Sequence, residues 1–154
     1  MSHGRKTIRS AIATLLATTP SAWSQVVETR IQSSRQIWPY LMVFAESEDS
    51  DDTVVNMGGI YSRNLVVSVV GLLRLPGTGD TQTIEDKMDT MAAEIETKLT
   101  HTTLSATVSA VKSVSLIASR MDVIIEDDGI DHAELNLSWR VNYYTAEGSP
   151  ETLI

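Results

Sequence analysis

A period of two stands out near the end of the chain. Ala133, Leu135, Leu137, Trp139, Val141 and Tyr143 alternate with Glu134, Asn136, Ser138, Arg140 and Asn142. Neighbouring side chains of a strand point to opposite faces, so this segment predicts a strand with one apolar and one polar face. Residues 64–74 are rich in β-branched side chains, with apolar residues at both parities. That pattern predicts an interior strand covered on both sides. A longer period marks two helices. Ile8, Ile12, Leu15 and Leu16 follow i, i+4, i+7 and i+8, one face of a helix over residues 6–18, with Pro20 just beyond. Ile84, Met88, Met91, Ala92, Ile95 and Leu99 form a second stripe over residues 81–100. Thr83 with Asp86 approximates a capping box there, and Asp80, Glu85 and Asp86 suit the positive end of the helix dipole. The methionines on this stripe read as core packing.

The remaining segments fill in the order of elements. Residues 26–31 read as a short extended piece, and residues 40–44 as an apolar strand after Pro39. Residues 113–125 are rich in Val, Ile and Leu and form a β-hairpin with the alternating segment. Asp127-Asp128-Gly129 supplies its turn. Residues 46–52 carry too many acids for a core and read as an exposed loop, flexible over about 46–53. The tail 147–154, with Gly148 and Pro150, reads as a loose extension. The expected fold is a single α+β domain over residues 1–154. A mainly antiparallel β-sheet carries two principal helices packed on one face.

Charge changes this picture by being unevenly placed. The 154 residues hold 12 basic and 20 acidic side chains, a net charge of -8. That balance argues against broad nucleic-acid binding, which needs a basic footprint. Yet residues 1–44 hold Arg5, Lys6, Arg9, Arg30 and Arg35 against Glu28 alone, so five minus one gives +4. Residues 45–52 carry five acids and no base, Glu46, Glu48, Asp49, Asp51 and Asp52. Residues 121–131 carry another five acids, Asp122, Glu126, Asp127, Asp128 and Asp131. Such runs are commonly solvated loops. They also give neighbouring subunits a register when opposite signs meet. The basic start followed by residues 11–17 resembles a signal sequence only loosely, and its helical period favours an amphipathic helix. No run approaches the roughly 20 apolar residues of a membrane span.

The residues offer little chemistry. No cysteine is present, which excludes disulfides, thiolate catalysis and cysteine zinc sites and suits a reducing cytoplasm. His3, His101 and His132 have no metal-ligand spacing. The acidic runs lack the order of a calcium loop, and Gly77-Thr78-Gly79 lacks the third glycine of a dinucleotide turn. No nucleophile elbow occurs. The expectation is a protein that is no enzyme, with no cofactor and no metal. Trp23 and Trp38 suit either interface anchors or core packing.

The order of parts resembles the siphophage tail terminator (tail completion) family over nearly the whole chain. The resemblance is carried by Arg5-Lys6-Thr7-Ile8-Arg9, by Val26-Val27-Glu28-Thr29-Arg30-Ile31, and by Trp38-Pro39-Tyr40-Leu41-Met42-Val43-Phe44 leading into the acids. The long apolar strand, the helix 84–99 and the closing strand 133–143 complete it. The resemblance implies a virion protein assembled in the host cytoplasm, a ring, usually a homo-hexamer, on the head-proximal end of the tail. Its partners would be itself, the major tail tube protein and the head-completion proteins. DNA would pass through the ring without specific binding. Ring contacts are expected at the basic Arg5, Lys6, Arg9 and Arg30, at Trp38, and at the acidic Glu46, Glu48, Asp49, Asp51 and Asp52. The alternatives are another head–tail connector or neck protein of the virion, or a cytosolic small-ligand-binding α+β module.

Overall fold

A computed structural model describes residues 2–31, 36–51, 59–75, 83–125 and 131–154. Helix α1 spans Gly4–Leu16, α2 Ile84–Lys98 and α3 His101–Thr107. Strands β1 (Gln25–Val27), β2 (Tyr40–Asp51), β3 (Ile60–Arg74), β4 (Val111–Ile124), β5 (His132–Ala146) and β6 (Ser149–Leu153) form one sheet. The spatial order is β1-β2-β3-β5-β4, and β6 pairs with the end of β5. β1 runs parallel to β2, while the other pairings are antiparallel. The α+β reading therefore holds, with a mixed sheet that is mainly antiparallel.

Local chemistry sets the helix boundaries. Thr83 caps α2 by accepting the Asp86 N–H at 3.1 Å, and Glu85, Asp86 and Lys98 complement the helix dipole. Thr100 and Thr103 form a reciprocal capping box that starts α3, a short helix the periodicity did not announce. α1 is capped by His3, whose Nδ1 accepts the Arg5 N–H at 3.2 Å.

The core lies between the helices and one face of the sheet. Ile8, Ile12 and Leu16 of α1 and Met88, Met91 and Ile95 of α2 meet Leu65, Val67 and Val69 of β3 and the apolar stripe of β5. Fully burying one such side chain contributes roughly 1.5–3 kcal/mol. A smaller cluster, Tyr40, Met42, Val70 and Leu72, covers the reverse face at one end. β3 is thus apolar on both faces only along its last third. Farther back, its reverse face carries Asn64 and Ser68.

Two expectations are overturned. Residues 46–51 are not a loop: they continue β2, and Ser47 through Asp51 pair with Val66 through Ser62. The strand survives its charge because alternation separates the acids. A bulge at Glu46, between Ala45 and Ser47, directs that side chain to Ser68 on the reverse face. Glu48 then faces the helices, and Asp49, opposite Asn64, faces away. Asp52 and the expected Asp127-Asp128-Gly129 turn lie outside the described residues. The tail is not loose either. Gly148 adopts a φ of 72°, a conformation glycine takes without a Cβ penalty, and the chain reverses into β6. Leu153 of β6 packs on the main core.

Gly71 leaves room on β3 for the Met91 side chain of α2. A Cβ placed there would overlap the sulfur of the fully buried Met91 and sit 3.4 Å from Leu41 Cδ2. Gly71→Ala is therefore expected to destabilise the fold by roughly 1–3 kcal/mol through overpacking. Urea unfolding followed by circular dichroism checks this, and an unchanged midpoint would show that Met91 moves aside freely.

Candidate functional site

The charged residues singled out above converge within one subunit. The amino-terminal half of α1, the segment after β1 and the middle of β2 line an open cleft of about 390 Å³. Arg5, Arg9 and Arg30 line it together with Glu46 and Glu48. Arg9 Nε donates to Glu28 Oε1 at 3.1 Å, and Ser10 Oγ donates to the same oxygen at 2.8 Å. Arg30 donates to the Ala45 carbonyl and lies 5.4 Å from the centre of the Phe44 ring. Arg5 and Lys6 are exposed. Opposite charges meet here inside a single chain, whereas the sequence suggested only contacts between chains.

Glu48 is the most constrained of these residues. Its carboxylate is nearly buried, with 8% of the side chain exposed. Tyr143 donates its hydroxyl to Glu48 Oε2 at 2.5 Å, and Arg63 Nη1 donates to Oε1 at 2.8 Å. Arg63 Nε donates to Thr145 Oγ1 at 2.8 Å. His3 Nε2 lies 3.8 Å from Glu48 Oε1. A buried carboxylate needs this many donors, because an unpaired one is expelled into water or protonated. The network joins β2, β3, β5 and the start of α1. Of the expected contact residues, Glu48 is therefore mainly structural. Arg63, Tyr143 and His3 are the partners that sequence reading missed.

The other predicted contacts lie elsewhere. Trp38 sits on the reverse face, edge-on to Tyr40 at 5.3 Å and to His132 at 5.7 Å, beneath the Arg74 guanidinium. Asp49 is exposed, and Asp51 ends β2. Trp23 is core: its Nε1 donates to the Leu16 carbonyl at 2.8 Å, and Lys98 lies 4.9 Å from its ring centre. Among the described residues, no three histidine or acidic side chains group to hold a metal ion.

A further surface escaped notice in the sequence. β4 is an outer strand, and its residues from Ser115 to Val123 are exposed on both faces. Leu116, Met121 and Val123 point to the helix-bearing face, opposite Trp139, Leu135 and Ala133 of β5. Yet Met121 is 51% and Val123 48% exposed, because the helices cover only the start of β4, where Val111 is buried. The run of apolar residues was visible in the sequence. Its lack of cover was not.

No family model matches this chain, and no curated protein matches it. Among solved structures it is similar to a chain described as "Virion of native gene transfer agent (GTA) particle". The identity is 12%, and the match covers 92% of this chain and 95% of that one, with a TM-score of 0.48. Likeness at this level carries no argument about role.

Two titrations test the network. Burial, then the hydrogen bond to Glu48 and its negative charge, push the Tyr143 hydroxyl well above its usual 10. The folded state holds the proton that the unfolded state releases, so this stabilisation is complete below pH 10 and declines above it. The loss of stability between pH 9 and 11 is expected to be shallower in Tyr143→Phe than in wild type, as measured by urea midpoints. His3 is shifted down, chiefly by burial and against the pull of Glu48. Its stabilising share is present above about pH 6.5 and fades as pH falls, when Nδ1 gains a proton and ceases to accept. Amide exchange at residues 5–8 is expected to accelerate between pH 7.5 and 5.5 beyond the intrinsic trend. In His3→Asn, whose cap does not titrate, this excess should vanish.

Proposed function

We propose that this chain is a structural assembly protein of a phage-like virion. In this reading it forms a ring, in the hexameric manner of tail terminators, on the head-proximal end of the tail tube. The ring stops addition of further tube subunits and offers its other side to head-completion proteins. Its work is steric and interfacial, without bond chemistry, and DNA traverses the lumen ungripped. The observation that carries this reading is the outer strand β4. Fourteen residues long, it exposes Leu116, Ile117, Met121 and Val123 at a sheet edge. Soluble proteins blunt or cover such edges, and an uncovered apolar one marks an assembly surface. The resemblance in element order, from the basic first helix to the alternating last strand, supports the more specific role. The mixed-charge cleft suits it as well, since it is open and polar and shaped to dock a partner segment.

Negative-stain microscopy of the purified protein mixed with tail tubes tests the proposal. A ring of density is expected at one end of each tube, and capped tubes should fail to elongate when more tube subunit is added. Tubes that stay bare and keep growing would refute it.

A further inference from the structure

We infer that β4 receives the acidic half of β2 from a second copy of this chain, joining the sheets of neighbouring copies edge to edge. The assignment rests on the assembly reading and names the surfaces that reading needs. Two open edges make it possible. β4 is one. The other is the outer side of β2 past Met42, where β1 covers only Tyr40, Leu41 and Met42 and no other described strand pairs; the Arg30 guanidinium, which holds the Ala45 carbonyl in the single chain, would give way to the incoming strand.

Strand direction fits. β2, β3, β5 and β4 alternate in direction, since each neighbouring pair is antiparallel. A second sheet added in the same orientation therefore sets its β2 antiparallel to the first copy's β4. Antiparallel addition satisfies the backbone donors and acceptors of both edges. The contact uses different surfaces on the two copies, so repetition gives a head-to-tail chain that closes when the rotation fits.

Charge and cover fit as well. The outer half of β2 carries Glu46 and Asp49, while β4 contributes Lys112 and Arg120 against Asp122. Arg120 and Asp49 both lie on the reverse face of the sheet, opposite Asn136 and Asn64. The helix-bearing face completes the match. α1 packs over β1 and β2. A second copy docked by its β2 edge thus brings its own α1 beside Leu116, Met121 and Val123. The helix layer, which covers only the start of β4, would then continue into the next subunit.

The test uses the full chain. The double variant M121K/V123K places charge on exposed positions, so its far-ultraviolet circular dichroism and Tm should match wild type. Its mass by light scattering is expected to fall from the oligomer to the 16.9 kDa monomer. Hydrogen exchange on wild type supplies the second measurement: assembly should slow exchange in residues 115–123 and 43–50. An oligomer of undiminished mass in the folded variant, or slowed exchange confined to other segments, overturns the edge pairing and leaves the ring. Wild type that stays at 16.9 kDa at every concentration, with and without tail tubes, overturns both.

Discussion

The fold depends on one buried carboxylate. Glu48 stands in an acidic stretch that has no intrinsic reason to be a strand, yet it draws Arg63 from β3, Tyr143 from β5 and His3 from the start of α1 into one cluster. Removing one partner of such a buried pair typically costs about 3–5 kcal/mol, because the other charge is left without compensation. The cluster therefore fixes the register of β2 against β3 where charge alone would favour a loop. It also fixes the angle at which α1 enters, since the helix cap is one of the four groups. Gly4 reinforces this. A Cβ there would meet Leu153 and Tyr143 at 2.8 and 2.9 Å, so the helix start lies directly on β6 and β5.

With α1 and β2 held this way, the two sides of the sheet acquire different characters. One side is sealed by helices across β2, β3 and β5. The reverse side is mostly polar, with Asn142 Nδ2 donating to Ser62 at 2.9 Å and to Asn64 at 3.0 Å. The helix layer is narrower than the sheet. That mismatch leaves β4 without a roof from Ser115 to Val123. In the proposed ring, a wide sheet and a narrow layer are the form a subunit takes when its core is completed by its neighbour.

How much of this was legible depended on how local the cause was. β5 was readable because one side of it meets helices along its whole length, and alternation records that directly. α2 was readable because Thr83 and the stripe from Ile84 to Leu99 agree on one helix. The acidic half of β2 was not, because its partners lie 15 residues away at Arg63 and 95 away at Tyr143. Composition near Glu48 reports only repulsion; the compensation is tertiary. β6 was hidden for a similar reason, since its pairing depends on a glycine turn and on Leu153 finding the core. At the site, the basic and acidic groups read as contacts between subunits, and the meeting of several of them within one subunit was invisible. β4 shows the opposite error. Apolar residues implied burial, and the single chain leaves them bare.

The close seat of Met91 against Gly71 makes the core a recorder of its own opening. Met91 is fully buried, whereas Met121 is half exposed on β4. In the isolated subunit peroxide reaches Met121 without any opening, but it reaches Met91 only when α2 lifts from the sheet. A sulfoxide on Met91 would add a polar oxygen where the helix and sheet already leave no room. The lifted state would then be trapped. Oxidative damage at this methionine would accumulate with each opening of the helix layer, so the ratio of sulfoxide at the two positions measures how often a molecule has breathed during its lifetime.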